Sequence, residues 1–145
     1  MSDLKPILLV EDNAQDAELT LSAFVEHRLA NQVVLVRDGV EALDYLYRRG
    51  AFEGRPEGLP AFVLLDLKMP RLDGLDVLRI VKGDESLKAV PIVMLTSSRE
   101  EKDLVESYRL GVNAYVVKPV DFDRFVEVVR ELGGFWAVLN EAPPV

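Results

Sequence analysis

The sequence predicts a doubly wound α/β fold, and three observations carry that prediction. Five short segments, Ile7–Val10, Val33–Val36, Ala61–Leu65, Ile92–Leu95 and Ala114–Val117, are almost continuously apolar and rich in Val, Leu and Ile. Parallel strands buried on both faces read this way, whereas strands with one wet face alternate. Stretches with helical spacing of apolar residues lie between them, so a βαβ unit repeats along the chain. Reactive polar groups follow four of the five segments: Glu11-Asp12, Asp66, Thr96-Ser97 and Lys118. Open parallel sheets bind their ligands beyond the carboxyl ends of the strands, which is where these groups fall.

The helices are read in order. Asn13 caps a first helix that runs to about Arg28, with Ala17, Leu21, Phe24 and Val25 on one face. Asp38-Gly39-Val40-Glu41 opens a second, with Leu43, Leu46 and Tyr47 directed inward. The connection from Arg48 to Pro60 holds three glycines and two prolines and is long for its type. It reads either as a mobile connection or as a partner-contacting loop. Asp73 opens a third helix that packs through Val77, Leu78 and Val81. The fourth starts near Ser98, where Ser98-Arg99-Glu100-Glu101 spells a capping box, and ends at the C-cap glycine Gly111. Its apolar stripe, Leu104, Val105 and Tyr108, is narrow, so weak packing is expected.

A fifth helix begins after Asp121. Phe122, Phe125, Val129, Leu132, Trp136 and Leu139 recur at spacings of three and four. They cover the sheet if the helix continues through Gly133-Gly134, two glycines that cost about 1 kcal/mol each relative to Ala. A core-facing stripe needs only about 100° of arc. On a continuous helix Val128, Phe135 and Leu139 widen this one beyond that and Val138 lies further round, which predicts either a tail folded back on its own domain or an apolar patch for a protein contact. A two-fold homodimer through the fourth helix, fifth strand and fifth helix is the simplest closed arrangement.

At 145 residues the chain is expected to form one domain, with a core over about residues 5–132 and a C-terminal extension over 133–145. With no cysteine it has neither disulfides nor a thiolate metal site. A net charge of −8 opposes binding to phosphate backbones, so no nucleic-acid partner is expected. No apolar run approaches the ~20 residues of a membrane span, and no signal peptide is evident. No membrane association and a cytoplasmic location are therefore expected. No DNA-reading segment follows the fifth helix, so output is expected to pass through protein contacts.

Each polar group at the strand ends has an ordinary reading on its own. Asp66 fits a turn or cap, Glu11-Asp12 a solvated turn, Thr96 a helix cap and Lys118 a surface lysine. The four together, in one order and at one rim, point to chemistry. Asp66 is a carboxylate that needs no general base to attack phosphorus, and aspartyl phosphates are known intermediates. Asp12 and Asp66 can share one Mg²⁺, a hard cation that prefers oxygen. Lys118 can pair with Asp66 at rest and with a phosphoryl oxygen after transfer, and Thr96 can donate a hydroxyl to another. His27, the only histidine, lies away from the rim and reads as a solvated surface residue. Trp136 reads as a packing residue.

From Ile7 to about Leu132 the chain resembles the receiver domain of bacterial two-component response regulators. The resemblance rests on Leu8-Leu9-Val10-Glu11-Asp12-Asn13, Leu64-Leu65-Asp66-Leu67-Lys68-Met69-Pro70, Asp73-Gly74, Leu95-Thr96-Ser97, Gly111-Val112-Asn113-Ala114-Tyr115 and Lys118-Pro119. It implies a flavodoxin-like sheet of order 2-1-3-4-5. It further implies that Asp66 accepts a phosphoryl group from a histidine kinase. Asp12, Asp66 and the backbone carbonyl of Lys68 would hold Mg²⁺, with Glu11 in the outer shell. Tyr115 would be the aromatic that moves when Thr96 is drawn to the phosphoryl group. A cis bond at Lys118-Pro119 and a structural role for Gly74 follow as well.

The segment Gly134-Phe135-Trp136-Ala137-Val138-Leu139-Asn140-Glu141 is similar to stand-alone regulators that partner phytochrome-type histidine kinases. A phosphotransfer protein is a further possible partner. Two other classes fit the residues less well. Haloacid-dehalogenase-type phosphatases place a second Asp two residues after their nucleophile, where this chain has Lys68. A docking module that never takes phosphate would not need Glu11, Asp12, Asp66, Thr96 and Lys118 together.

Overall fold

The computed structural model describes residues 5–96 and 106–131. Its centre is a five-stranded, all-parallel sheet in the order β2-β1-β3-β4-β5. The strands are β1 (Ile7–Val10), β2 (Val33–Val36), β3 (Phe62–Asp66), β4 (Ile92–Thr96) and β5 (Ala114–Val117). The predicted fold class and strand order are thus the observed ones. Two strands differ from expectation in a way that matters. β3 and β4 each run one residue further, so Asp66 and Thr96 are the last residues of their strands. Both are held by the ladder and almost fully buried.

The helices are α1 (Ala14–Glu26), α2 (Gly39–Tyr47), α3 (Gly74–Lys82), α4 (described over 106–109) and α5 (Phe122–Glu131). Alternation along the strands divides the core in two. Leu8, Val10, Val63, Leu65, Ile92 and Met94 face α2 and α3, where Leu43, Leu46, Val77, Leu78 and Val81 meet them. Ile7, Leu9, Phe62, Leu64, Val93 and Leu95 face α1 and α5, where Phe24, Phe122, Phe125 and Val128 meet them. Phe125 is the hub of the second cluster, with Phe24 at 4.8 Å, Phe122 at 5.7 Å and Phe62 at 5.8 Å between ring centroids.

Several expected faces need correction. α1 stops at Glu26 and not Arg28; His27 is its C-cap, donating its backbone N–H to the Ala23 carbonyl. Phe24 is buried, but its neighbour Val25 is 79% exposed. At 100° per residue two adjacent positions do not share a narrow face. In α2 Tyr47 packs inward against the core as expected, half-buried with its hydroxyl donating to Asp84, but Tyr45, which was not expected there, is the more buried of the two. Val128 is fully buried against the sheet and does not contribute to an outer patch. The readings made on Ser97–Val105 and on residues 132–145, including Phe135, Trp136 and Leu139, lie outside the described residues.

The connection between α2 and β3 is fastened, not loose. A 3-10 helix, Gly50–Phe52, follows α2 directly. The Arg55 guanidinium then donates to the carbonyls of Tyr45 (2.7 Å), Pro56 (2.7 Å) and Gly58 (3.0 Å) and lies 4.2 Å above the Tyr45 ring. His27 is exposed as expected, with its ring stacked on Phe122. No helix among the described residues is long and apolar enough to cross a membrane.

Candidate functional site

The sheet register brings the predicted residues together. Val10 pairs with Leu65, so Glu11 and Asp12 emerge beside Asp66. Asp66 pairs with Leu95, placing Thr96 one step beyond it. Thr96 pairs with Val117, and the backbone N–H of Lys118 donates to the Thr96 carbonyl at 2.7 Å. Four strand ends in the order β1, β3, β4, β5 therefore deliver three carboxylates, a hydroxyl and an ammonium to one rim.

Glu11 and Asp66 are buried, while Asp12 is exposed. One carboxylate oxygen from each lies within 4.8 Å of the others. Burial pushes the Asp66 carboxyl up to about 8, and the hydrogen bond and charge of Glu11 add to that push. Lys118 counters it in part, and Asp12 reinforces it. At Lys118 burial works against the ammonium. Hydrogen bonds to Asp16 and Glu11 and the charge of Asp66 overcome it, so its pKa lies above the usual lysine range. Lys118 Nζ is 3.0 Å from Glu11, 2.9 Å from Asp16 and 3.4 Å from Asp66.

Three hard oxygen donors within reach of one another suit a small divalent cation that keeps part of its water. The residues present therefore fit Mg²⁺. Lys68 lies two residues beyond Asp66, on the loop that returns to α3, and its side chain is exposed.

That loop is set by two contacts. The Leu67 carbonyl accepts from the Gly74 N–H at 3.0 Å. A Cβ at Gly74 would stand 2.5 Å from the Asp66 carbonyl oxygen, so a hydrogen atom is all the space allows. Arg71, with φ 66°, donates from Nε to Asp38 at 2.9 Å and ties the loop to the N-cap of α2.

Thr96 and Tyr115 share a face of the sheet. Met94 lies opposite Tyr115 and Thr96 opposite Val117, so the hydroxyl and the aromatic ring are two residues apart on neighbouring strands. Tyr115 is half-buried, and its ring meets Tyr108 of α4 edge-on at 6.3 Å. The Lys118-Pro119 bond is cis. The residue missed from sequence is Asp16. It sits in the first turn of α1, where acidic residues are ordinary, so nothing in its spacing marks it.

With this geometry in view the comparisons are specific. The model of the response regulator receiver domain matches residues 7–130, and the chain belongs to that family. Its relatives point to a narrower group. The chain is 62% identical to the bacteriophytochrome response regulator AtBRR, with a TM-score of 0.88, covering 96% of this chain and 99% of that one. The probable methanogenesis regulatory protein FilR2 of Methanothrix harundinacea is 41% identical over 94% of this chain and 86% of its own length. The Mn²⁺-bound form of response regulator Rcp1 is 34% identical, with a TM-score of 0.74, covering 97% of this chain and 99% of that one. The chain is a response regulator receiver domain related to the regulators of phytochrome signalling.

Proposed function

We propose that Asp66 accepts a phosphoryl group from a partner histidine kinase, and that Asp12, Asp66 and the Lys68 backbone carbonyl hold Mg²⁺ while it does so. The observation that carries this reading is the buried Asp66 carboxylate, with Glu11, Asp12 and Lys118 gathered round it at the strand ends. An Asp66 Oδ attacks phosphorus, the phosphorus–nitrogen bond to the kinase imidazole breaks, and the electron pair leaves with that nitrogen. Asp66 must be ionised to act; burial and Glu11 hold its carboxyl above its ordinary value, and nearby positive charge favours the ionised form. Held by Asp12, Asp66 and the Lys68 carbonyl, with Glu11 in the outer shell, Mg²⁺ would supply positive charge for the phosphoryl oxygens. Lys118 pairs with one of those oxygens, and the Thr96 hydroxyl donates to another.

The chain assists its own phosphorylation and dephosphorylation but has no separate substrate. Position 68 holds a lysine where a phosphatase of the dehalogenase type would have its acid. The phosphoryl group, about −1.5 to −2 in charge, draws Thr96 inward, and Tyr115 follows on the same face. The surface formed by α4, β5 and α5 is then read by a protein partner in the cytoplasm. The similarity to AtBRR, a bacteriophytochrome response regulator, supports a phytochrome-type kinase as donor. The test is intact-mass measurement after incubation with acetyl phosphate and Mg²⁺. Wild type gains one phosphoryl group; Asp66→Asn, and wild type in chelator, do not. Equal labelling of Asp66→Asn removes the assignment.

A further inference from the structure

The first turns of α1 and α3 are built alike and differ at one carboxylate. Asn13 caps α1 and Asp73 caps α3, and each accepts at 2.9 Å from the backbone N–H of an aspartate three residues on, Asp16 and Asp76. In α3 the bond is returned: Asp76 accepts from the Asp73 N–H, closing a capping box. In α1 it is not. The Asn13 N–H goes to Glu11 Oε2 at 3.2 Å, and the Asp16 carboxylate turns to Lys118 Nζ at 2.9 Å. Asp16 is thus withdrawn from the helix it would cap and placed on the ammonium that the phosphoryl group needs. It is not one of the three clustered carboxylates, and its side chain is 35% exposed.

We propose that Asp16 is a positioning residue for Lys118. It draws the ammonium towards α1 and away from Asp66 at rest, which weakens capture of the phosphoryl group. On capture Lys118 leaves Asp16, and Asp16 takes up the Asn13 N–H to complete the box. Lys118 lies nearer to Asp16 and Glu11 than to Asp66, and these acidic groups compete for one ammonium. A phosphoryl group carries more charge than a carboxylate and wins, but against a resting competitor. The exchange would also couple the site to the start of α1. This proposal rests on Asp66 being the acceptor.

The test is titration of beryllofluoride, at fixed Mg²⁺, into wild type, Asp16→Asn, Asp16→Glu and Asp66→Asn. An ion pair of this exposure changes an equilibrium by about 2- to 5-fold. Asp16→Asn, which keeps shape and removes charge, therefore binds the mimic about 2- to 5-fold more tightly, with a melting temperature showing that it is folded. Asp16→Glu, which restores charge, binds like wild type. In wild type the backbone amide resonance of Asn13 moves on saturation. Binding by Asp16→Asn no tighter than wild type, binding by Asp16→Glu equal to that of Asp16→Asn, or an unmoved Asn13 amide each overturns the proposal. A wild type that does not bind, or an Asp66→Asn variant that binds as well as wild type, overturns the acceptor reading instead.

Discussion

Asp66 is a residue whose proton is in dispute. Burial and Glu11 raise its pKa from the ordinary 3.8 to about 8. A raised folded-state value means that the folded chain holds a proton the unfolded chain has released. The associated stability is present below the unfolded pKa and is lost as pH rises towards about 8. In chelator, then, thermal stability of wild type falls from about pH 5 to pH 8 more than that of Asp66→Asn. Mg²⁺ displaces the proton, so its stabilising effect grows over the same range. Calorimetric melts with chelator and with Mg²⁺ give both quantities, and an Mg²⁺ effect of equal size in Asp66→Asn contradicts the account. Thr96 and Tyr115 support a second prediction at this scale. Thr96→Ala retains labelling at Asp66, but the tyrosine-ring NMR signals of Tyr115 no longer respond to beryllofluoride. An unchanged response removes the coupling through the hydroxyl.

The elements show where sequence information ends. β1, β3 and β4 were legible because both faces are buried, which leaves continuous apolar runs; β2 and β5, at the sheet edges, are only partly buried and were read from their Val-rich composition and their place in the alternation. The rim followed from the strands, since any residue next after a strand must lie there. Helix faces were less legible. The sequence does not say which of two adjacent apolar residues, Phe24 or Val25, turns to the sheet, because that depends on the helix's rotation against its neighbours. Tyr45 and Tyr47 are a similar case: both pack on the α2–α3 core, Tyr45 buried beneath the Arg55 guanidinium and Tyr47 half-buried. Asp16 was illegible because its partner is 102 residues away. These distinctions are measurable. Phe125→Ala, at the hub of the α1–α5 cluster, costs about 3–5 kcal/mol, whereas Val25→Ala changes stability by less than about 0.5 kcal/mol. Gly74→Ala costs about 1–3 kcal/mol, because the new Cβ meets the Asp66 carbonyl, and it weakens Mg²⁺ binding by displacing that strand end. Chemical denaturation and a metal titration check these values. A Gly74→Ala protein with full metal affinity argues that the loop and the strand end move independently.

For the whole molecule the fold is a frame that gathers one cluster of charge at the strand ends, next to the α4–β5 side. The α4–β5 side carries the exposed Tyr108 next to the half-buried Tyr115. We propose that this side, with α5, forms a two-fold homodimer, tightened by phosphorylation; burial of Val128 narrows the patch available for it. Sedimentation across a concentration series, with and without beryllofluoride, shows a dimer if this holds. A monomer at tens of micromolar in both states ends that proposal without touching the phosphoacceptor reading. The central claim is that the charge cluster makes Asp66 the acceptor, and its most direct test is chemical mapping of the modified residue. Borohydride reduces an aspartyl phosphate to homoserine and leaves free carboxylates unchanged. After phosphorylation, reduction and proteolysis, peptide sequencing by mass spectrometry is predicted to find homoserine at position 66 and at no other. Homoserine at position 12, or elsewhere with Asp66 intact, would contradict the account.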